Sequence, residues 1–257
     1  MKLLFDIGNT RIKWAYDTGS ELLYPGEVVH RGIVPEQAVR FVAGLEKDPK
    51  IDLGAVWAIN VAGSALEEAL AQALESRFGL SLRIVKTSER CGDVVNGYTA
   101  IEQLGTDRWA AIVGAWEHFR TSICVVDVGT AVTIDVVAKD GQHRGGIILP
   151  GLALMTESLH RDTSDIEGFA HNSQGGPSGN DWFGRDTRQA VQRGALFALR
   201  SAIIQAAEAT AAPHKSLPLV VLTGGDAEVL LPLPGHSAEL MPMLVLEGLR
   251  YLARDAG

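Results

Sequence analysis

Short apolar runs separated by glycine-rich turns or amphipathic stretches divide the chain into predicted strands and helices. The runs at 3–5 and 123–126 are suited to buried strands, and each of them stops on a carboxylate and turns. Further buried strands are predicted at 53–61, 82–85 and 217–222. After an opening β-meander up to about residue 34, strand patterns alternate with helix patterns, which is the order expected of an α/β fold.

Helices are predicted where apolar residues recur with a period near 3.6. They cover 35–45, 64–79, a stretch that begins near Asp107, a stretch after Gly151 through Leu159, 188–211 and 239–254. Ser64 followed by Glu67 has the pattern of a capping box, and Gly79 is the expected stop of that helix. Residues 161–184 are poor in large apolar side chains, which predicts a mobile loop over the substrate.

Two segments share the pattern of apolar strand, Asp-x-Gly, and β-branched strand. They are 3–13 and 123–135, and their first acids, Asp6 and Asp127, lie 121 positions apart in a chain of 257 residues, which indicates an internal duplication. Gly8 and Asn9 tolerate positive φ. Backbone N–H groups of such a turn bind phosphate, and Asp6 could orient a hydrated divalent cation. For one copy alone, an ordinary hairpin turn is the alternative.

Two more segments carry candidate chemistry. The strand at 217–222 runs into Thr223-Gly224-Gly225-Asp226-Ala227, a turn before a predicted helix that brings backbone close to a ligand. The segment 105–108 places Asp107 beside Arg108 at the start of a buried helix, which suits a substrate with both a hydroxyl and a carboxylate. Thr106 or Asp107 could instead be a simple helix N-cap. Thr187 could likewise cap the helix over 188–211.

Composition narrows the class of protein. The formal net charge is −8 without a run rich in Lys and Arg, which argues against nucleic acid as a partner. No apolar stretch approaches eighteen residues, so a cytoplasmic location is expected. Cys91 and Cys124 lack the spacing of metal ligands. Cys124 is expected to be a buried hydrophobe, whereas Cys91 lies in a polar run and could be exposed.

The hairpins at Asp6 and Asp127 and the turn at Gly224 resemble the phosphate-1, phosphate-2 and adenosine motifs of the acetate and sugar kinase, Hsp70 and actin superfamily. With Gly105-Thr106-Asp107-Arg108-Trp109 and the glycine-rich segment 145–151, the order of motifs resembles type III pantothenate kinase almost throughout the chain. The resemblance implies an α/β fold of duplicated actin-like (ribonuclease H-like) subdomains, each with a mixed five-stranded sheet flanked by helices, and an ATP cleft between them. The expected domains are 1–118 and 119–257, with packing of the final helix back on the first domain left open.

The same resemblance implies ATP-dependent phosphorylation of the primary hydroxyl of pantothenate, the first committed step toward coenzyme A, in a homodimer. The implied ATP-binding residues are Asp6, Ile7, Gly8, Asn9, Thr10, Arg11, Ile12, Lys13 and Thr130. The implied substrate-binding residues are Tyr98, Gly105, Thr106, Asp107, Arg108 and Thr187. Asp107 would be the general base, Asp127 would ligate K⁺ or NH₄⁺, and Asp6 would hold Mg²⁺ through water. The family often has Asn-Pro-Tyr where this chain has Asn96-Gly97-Tyr98.

Two alternatives remain at this point. One is another kinase of the superfamily that acts on a sugar or a small carboxylate, against which 105–108 argues. The other is a nucleotide-binding accessory factor without turnover, since relatives have been named as factors that assist transcription. The presence of Asp6, Lys13, Asp107 and Arg108 argues against an inactive enzyme.

Overall fold

The computed structural model describes residues 1–30, 41–42, 44–45, 52–162, 182–211 and 216–255. Most of the predicted helix over 35–45 and of the predicted loop over 161–184 lies outside these residues. The chain forms two compact units, one made of Met1–Glu117 with Met243–Gly257 and the other of His118–Pro242.

Twelve strands and five α-helices are numbered here within the described residues. The strands are β1 Lys2–Ile7, β2 Arg11–Asp17, β3 Leu22–Val29, β4 Ala55–Asn60, β5 Leu82–Ile84, β6 Arg90–Cys91, β7 Val94–Val95, β8 Ile123–Val128, β9 Ala131–Val137, β10 His143–Pro150, β11 Leu219–Thr223 and β12 Ala238–Leu240. The helices are α1 Ser64–Phe78, α2 Thr106–Phe119, α3 Leu152–Asp162, α4 Thr187–Ala211 and α5 Leu244–Asp255. Short 3-10 turns cover Ile101–Gln103 and Glu228–Leu230.

Each unit contains one five-stranded sheet, and the two sheets have the same construction. The strand orders are β3-β2-β1-β4-β5 and β10-β9-β8-β11-β12. In both sheets the first three strands of the unit are antiparallel neighbours, and the last two join in parallel. The predicted α/β class, with two mixed five-stranded sheets flanked by helices, is therefore confirmed.

The central strands β1 and β8 are covered on both faces. Leu3, Leu4 and Phe5 are fully buried, as are Ile123 and Cys124. A run without alternation is what a strand buried on both faces requires, because successive side chains point to opposite faces. Both strands therefore hold the carboxylate that follows the apolar run at a fixed position near their carboxyl ends.

The helices of the first unit meet across glycines. A Cβ on Gly248 of α5 would lie 1.8 Å from the carbonyl oxygen of Ala110 in α2, and a Cβ on Gly114 would lie 2.8 Å from the backbone nitrogen of Gly248. The backbones of α2 and α5 are thus in direct contact. Arg250 of α5 also donates from Nε to Asp17 at 3.0 Å, which links α5 to the end of β2.

Several predicted boundaries are wrong. In the predicted opening β-meander, residues 22–29 form one strand, β3, that continues through Pro25 instead of turning there. The expected capping box is absent, because α1 begins after Gly63 and Glu67 instead accepts a hydrogen bond from Asn60 Nδ2 at 2.8 Å. The predicted stop at Gly79 is confirmed, with φ 69° and its N–H donated to the Glu75 carbonyl at 2.8 Å.

The final helix is shorter than predicted. Residues 238–240 form the edge strand β12, and the helix starts only at Leu244. Pro242 explains the difference, because the residue before a proline is disfavoured in helical conformation. A strand pairing with β11 therefore takes the residues that periodicity alone assigned to the helix.

Candidate active site

The first hairpin comprises Asp6–Lys13 and joins β1 to β2. Asp6 and Lys13 lie directly opposite each other in the antiparallel pair, and both are half-buried. The N–H of Gly8 donates to the Arg11 carbonyl at 3.0 Å and closes the turn. Neither Gly8 nor Asn9 has a positive φ, so the left-handed conformation that the sequence permits is not used.

His30 holds this hairpin from the end of β3. Its backbone N–H donates to the Thr10 carbonyl at 2.9 Å, and its Nε2 lies 2.5 Å from the Gly8 carbonyl oxygen. The side chain is buried, with 5% exposure. The sequence reasoning missed this residue, because a single histidine after a strand has no motif around it.

The second hairpin comprises Asp127–Thr133 and joins β8 to β9. Its turn is one residue shorter, since Val128 pairs with Val132 whereas Ile7 pairs with Ile12. Gly129 donates its N–H to the Ala131 carbonyl at 3.0 Å, and Thr130 is exposed at the tip. Thr133 stands opposite Asp127, in the place that Lys13 occupies in the first hairpin.

Gly151 supports the second hairpin. Its N–H donates to the Thr130 carbonyl at 2.9 Å. A Cβ at this position would lie 2.1 Å from the Gly129 carbonyl oxygen, so a larger residue would displace the turn. The glycine that closes the segment 145–151 is therefore required by close backbone contact.

The turn after β11 packs on the second hairpin. Thr223 is in register with Asp127, and Gly224 has φ +96° with its would-be Cβ 2.5 Å from Asp127 Oδ1. The N–H of Asp226 donates to the Val128 carbonyl at 3.1 Å. The Gly-Gly turn therefore packs tightly against the second hairpin of the same unit, and its predicted approach to a ligand stays a prediction. The helix expected after it is wrong, since only the 3-10 turn Glu228–Leu230 follows.

Asp107 lies in the first turn of α2. The N–H of Trp109 donates to the Gly105 carbonyl at 2.9 Å, so the helix is entered from Gly105 and neither Thr106 nor Asp107 is the N-cap residue. The Asp107 Oδ1 accepts the N–H of Arg108 at 2.8 Å. A carboxylate is stabilised at a helix N-terminus by the unpaired N–H groups and the helix dipole. Asp107 is half-buried, which leaves it partly accessible.

Arg108 is buried and held by Tyr98. Its exposure is 7%, and its Nη1 donates to the Tyr98 hydroxyl at 2.9 Å. The Cζ of Arg108 also lies 5.5 Å from the centroid of the Tyr98 ring. The structure therefore brings together Tyr98, Asp107 and Arg108, three of the residues that the sequence assigned to substrate.

Two further residues that the sequence reasoning missed shape this loop. Asn96 is buried, and its Oδ1 accepts the N–H of Tyr98 at 2.9 Å. Thr87 donates from Oγ1 to the Leu104 carbonyl at 2.8 Å and lies 3.2 Å from the Thr106 hydroxyl. Asn96 belongs to the Asn-Gly-Tyr segment that the sequence reasoning used only for its tyrosine, so a signal for it was present. Thr87 stands outside every motif.

Thr187 is the first residue of α4 and is exposed. The alternative that it caps this helix is wrong, because Asp186 Oδ1 accepts the N–H of Gln189 at 2.7 Å. Thr187 borders an apolar groove of about 530 Å³ between α3 and α4.

Neither cysteine has the features of a reactive thiol. Cys124 is fully buried as expected, whereas the expectation of exposure for Cys91 is wrong, since it is 4% exposed. Burial raises the pKa of Cys91 to about 11, assisted by the charges of Asp255 and Glu117. Burial raises the pKa of Cys124 to about 12, assisted by Asp135.

Within the described residues, no three His, Cys, Asp or Glu side chains are grouped so that they could hold a metal ion. Mg²⁺ that binds together with a nucleotide is commonly held by one or two carboxylates and by phosphate oxygens. Asp6, a half-buried carboxylate near the end of β1, has the chemistry for that role. In the part of the chain that the structure covers, no helix has the length and apolar character needed to cross a membrane.

Comparison with known proteins gives a consistent result. A family model described as type III pantothenate kinase matches residues 2–209. A type III pantothenate kinase from Alkalilimnicola ehrlichii is 36% identical over 259 residues, covering 99% of this chain and 98% of the relative.

Two solved structures share the fold. One is described as a conserved Baf family transcriptional activator from Campylobacter jejuni, with TM-score 0.60, 21% identity and coverage of 99% of this chain and 98% of that chain. The other is assigned as a 2-dehydro-3-deoxygalactonokinase from Sinorhizobium meliloti, with TM-score 0.59, 13% identity and coverage of 100% and 99%. Because the family model matches most of the chain and the curated relative aligns from end to end, the chain belongs to the type III pantothenate kinase family.

Proposed function

We propose that this protein transfers the γ-phosphoryl group of ATP to the primary hydroxyl of pantothenate, giving 4'-phosphopantothenate in the first step of coenzyme A biosynthesis. The observation that carries the proposal is the first turn of α2, where Asp107 lies at the helix N-terminus beside the buried Arg108. In this family's order of motifs, that turn lies between two phosphate hairpins, and both hairpins are formed.

The first hairpin, Asp6–Lys13, binds the ATP phosphates in this proposal. Phosphoryl transfer needs mainly positioning and charge stabilisation, which backbone N–H groups and the Lys13 ammonium supply. Thr130 contacts the phosphates from the second hairpin. A divalent cation supplies neutralisation of the phosphate charge when bound, and Asp6 is the residue that would hold it through water.

Asp107 acts as the general base. It orients the acceptor hydroxyl and takes its proton as the bond to phosphorus forms. Gly105, Thr106, Tyr98 and Thr187 contribute to the pantothenate site. Arg108 serves either the pantothenate carboxylate or the charge of the transferring phosphate, and its fixed contact with Tyr98 suits both.

A monovalent cation, K⁺ or NH₄⁺, binds at Asp127 in this proposal. The Asp127 carboxylate lies close to Gly224, and the Val128 carbonyl lies beside the same glycine. Carboxylate and carbonyl oxygens are the ligands that hard cations prefer. Because Gly224 has no side chain, the space beside the Asp127 carboxylate and the Val128 carbonyl, which a side chain would fill, is left open.

The protein works as a homodimer, with a second copy covering an apolar face of the second unit. Apolar residues line the groove between α3 and α4, among them Met155, Leu159 and Val191. Leu154 is 42% exposed and Phe197 is 56% exposed. Exposed apolar side chains on the two helices that border an apolar groove are typical of protein interfaces. Nucleic acid is not among the proposed partners, given the net charge of −8, and the proposed location is the cytoplasm, where ATP is available.

The decisive measurement is ADP release by the purified protein with ATP, Mg²⁺ and pantothenate, first in Na⁺ and then in K⁺ or NH₄⁺. Turnover that requires pantothenate and rises with K⁺ or NH₄⁺ is the expected result. ATP binding without phosphorylation of pantothenate under any cation would contradict the proposal and favour another substrate or an accessory role.

A further inference from the structure

His30 is placed to control the peptide groups of the first hairpin. It follows β3 directly, and 5% of it is exposed. Because the Gly8 carbonyl oxygen is only an acceptor, the contact of 2.5 Å requires a proton on His30 Nε2. The backbone N–H of the same residue donates to the Thr10 carbonyl at 2.9 Å. One residue therefore engages two carbonyls of the turn.

The direction of these carbonyls fixes the direction of the adjacent N–H groups. In a planar trans peptide, the C=O and the N–H point in opposite directions. With the Gly8 and Thr10 carbonyls drawn toward His30, the N–H groups of Asn9 and Arg11 are directed away from it. Backbone N–H groups of a turn that point to one side, as these two flanking Thr10 do, suit an anion such as phosphate.

In the second hairpin, the position equivalent to His30 is occupied by Gly151, which has no side chain. Gly151 follows β10 as His30 follows β3, and its N–H donates to the Thr130 carbonyl at 2.9 Å as that of His30 does to Thr10. The Gly129 carbonyl oxygen lies 2.1 Å from where a Cβ of Gly151 would be. The backbone contact is thus duplicated, whereas the imidazole contact with Gly8 belongs to the first hairpin alone.

We propose that His30 is a positioning residue for the nucleotide phosphates, acting through the Gly8 carbonyl to keep the first turn in its phosphate-binding conformation. This inference rests on the proposed function only in so far as the first hairpin binds ATP. A purely structural histidine would change the stability of the fold and would not distinguish ligands that differ in their phosphates.

The test compares binding of AMPPNP and AMP to the full chain by calorimetry, with Mg²⁺ and without pantothenate. Replacing His30 by Ala removes the bond to Gly8, and we expect AMPPNP affinity to fall roughly tenfold while AMP affinity stays within about twofold. His30→Gln retains an N–H donor at a similar reach, so it should recover most of the lost affinity. In steady-state kinetics, the KM for ATP should rise in His30→Ala and mostly recover in His30→Gln. The KM for pantothenate should not rise.

His143→Gln is the matched control. His143 is also buried, and its Nε2 lies 3.0 Å from Asp135, within the second sheet. This variant should change thermal stability without altering the ratio of AMPPNP to AMP affinity. An unchanged ratio in folded His30→Ala, or the same change of ratio in His143→Gln, would overturn the role of His30. If His30→Ala does not fold, the decision rests on His30→Gln, because a tenfold loss of AMPPNP affinity in that variant would also overturn the role of His30.

The two proposals fail differently. Wild-type protein that binds AMPPNP but never phosphorylates pantothenate would refute the proposed function and leave the test of His30 intact. Wild-type protein that binds neither nucleotide would overturn both.

Discussion

At the scale of single residues, the position of Asp107 gives the sharpest prediction. Asp107→Asn keeps the size of the side chain and an oxygen acceptor for the Arg108 N–H, but removes the carboxylate that we propose as the base. We expect kcat to fall by about 10²- to 10⁴-fold with nearly unchanged ATP binding, since general-base catalysis contributes that much. Steady-state kinetics with parallel calorimetry measures both. Asp140→Asn, at an exposed turn of the other unit, is the control, and equal activity of the two variants would remove Asp107 from the role of base.

A second prediction at the scale of single residues concerns the effect of Gly105→Ala on kcat. A Cβ there would lie 2.6 Å from Asp107 Oδ1, so Gly105→Ala forces the carboxylate to move. We expect kcat to fall at least about tenfold while the KM for ATP is kept, because small displacements of reacting groups are costly. Gly54→Ala, whose new Cβ would have its nearest neighbour at 3.9 Å, should leave kcat unchanged. A fully active Gly105→Ala enzyme would show that the carboxylate needs no fixed position.

The sequence predicted Asp6, Lys13, Asp107 and Arg108 as site residues because each belongs to a motif with a recognisable spacing. The structure sets Asp6 opposite Lys13 and Arg108 against Tyr98; their roles in binding and catalysis remain proposals. His30 and Thr87 could not be found as supports, because neither belongs to a motif, whereas Asn96 belongs to the Asn96-Gly97-Tyr98 segment and had a signal. All three act through backbone carbonyls and N–H groups that only the folded chain brings near them.

At the scale of elements, the contact of α2 with α5 predicts sensitivity at Gly248. A Cβ there would lie 1.8 Å from the Ala110 carbonyl oxygen, so Gly248→Ala must separate the two helices. We expect a loss of about 1–3 kcal/mol of unfolding free energy, the usual range for overpacking. Because α2 carries Asp107, kcat should fall as well. Urea denaturation and initial rates measure the two effects.

The control for this prediction is Gly194→Ala. Gly194 is a helical, exposed residue of α4 with open space where its Cβ would be, so alanine should be neutral or stabilise the helix by about 0.5–1 kcal/mol. A Gly248→Ala protein as stable as Gly194→Ala would show that the helices can separate without cost.

Helices and strands were predicted correctly where a strong local sequence signal marks their ends. Gly79 ends α1 as expected, since glycine adopts the left-handed conformation without strain. The edge strand β12 was not predictable, because its three residues become a strand only by pairing with β11. The predicted capping box was wrong for the same reason. The Glu67 carboxylate accepts a hydrogen bond from Asn60 of β4, which lies outside its own helix.

At the scale of the whole molecule, the two buried thiols predict a loss of stability in alkali. Their folded pKa values of about 11 and about 12 lie above the ordinary value of 9.0. Between these values, the unfolded chain has released protons that the folded chain still holds, so stability falls as pH rises. The contribution is fully present below pH 9 and decreases by up to about 1.4 kcal/mol per pH unit for each thiol above it.

Urea midpoints at pH 8, 9 and 10 test this for the wild type and for the double variant Cys91→Ala with Cys124→Ala. The double variant starts from lower stability but should show a shallower alkaline decline. Identical slopes would mean that other groups cause the decline.

The duplication was predictable from two Asp-x-Gly turns half a chain apart, and the matching strand orders of the two sheets confirm it. The difference in turn length and the exchange of Lys13 for Thr133 were not predicted, because they depend on which residues pair across each hairpin. The exchange of His30 for Gly151 was not predicted either, because it depends on which residue follows the third strand of each unit.

The last helix in sequence completes the first unit in space, which matters for how the chain is made. During synthesis, β1 to β5 leave the ribosome long before Leu244–Asp255, and the buried apolar residues of α5 are still missing. The nascent first half must therefore wait, with uncovered apolar surface, until the second unit has been translated. A chaperone that binds such surface would find its target in that interval and would release it once Gly248 meets Ala110.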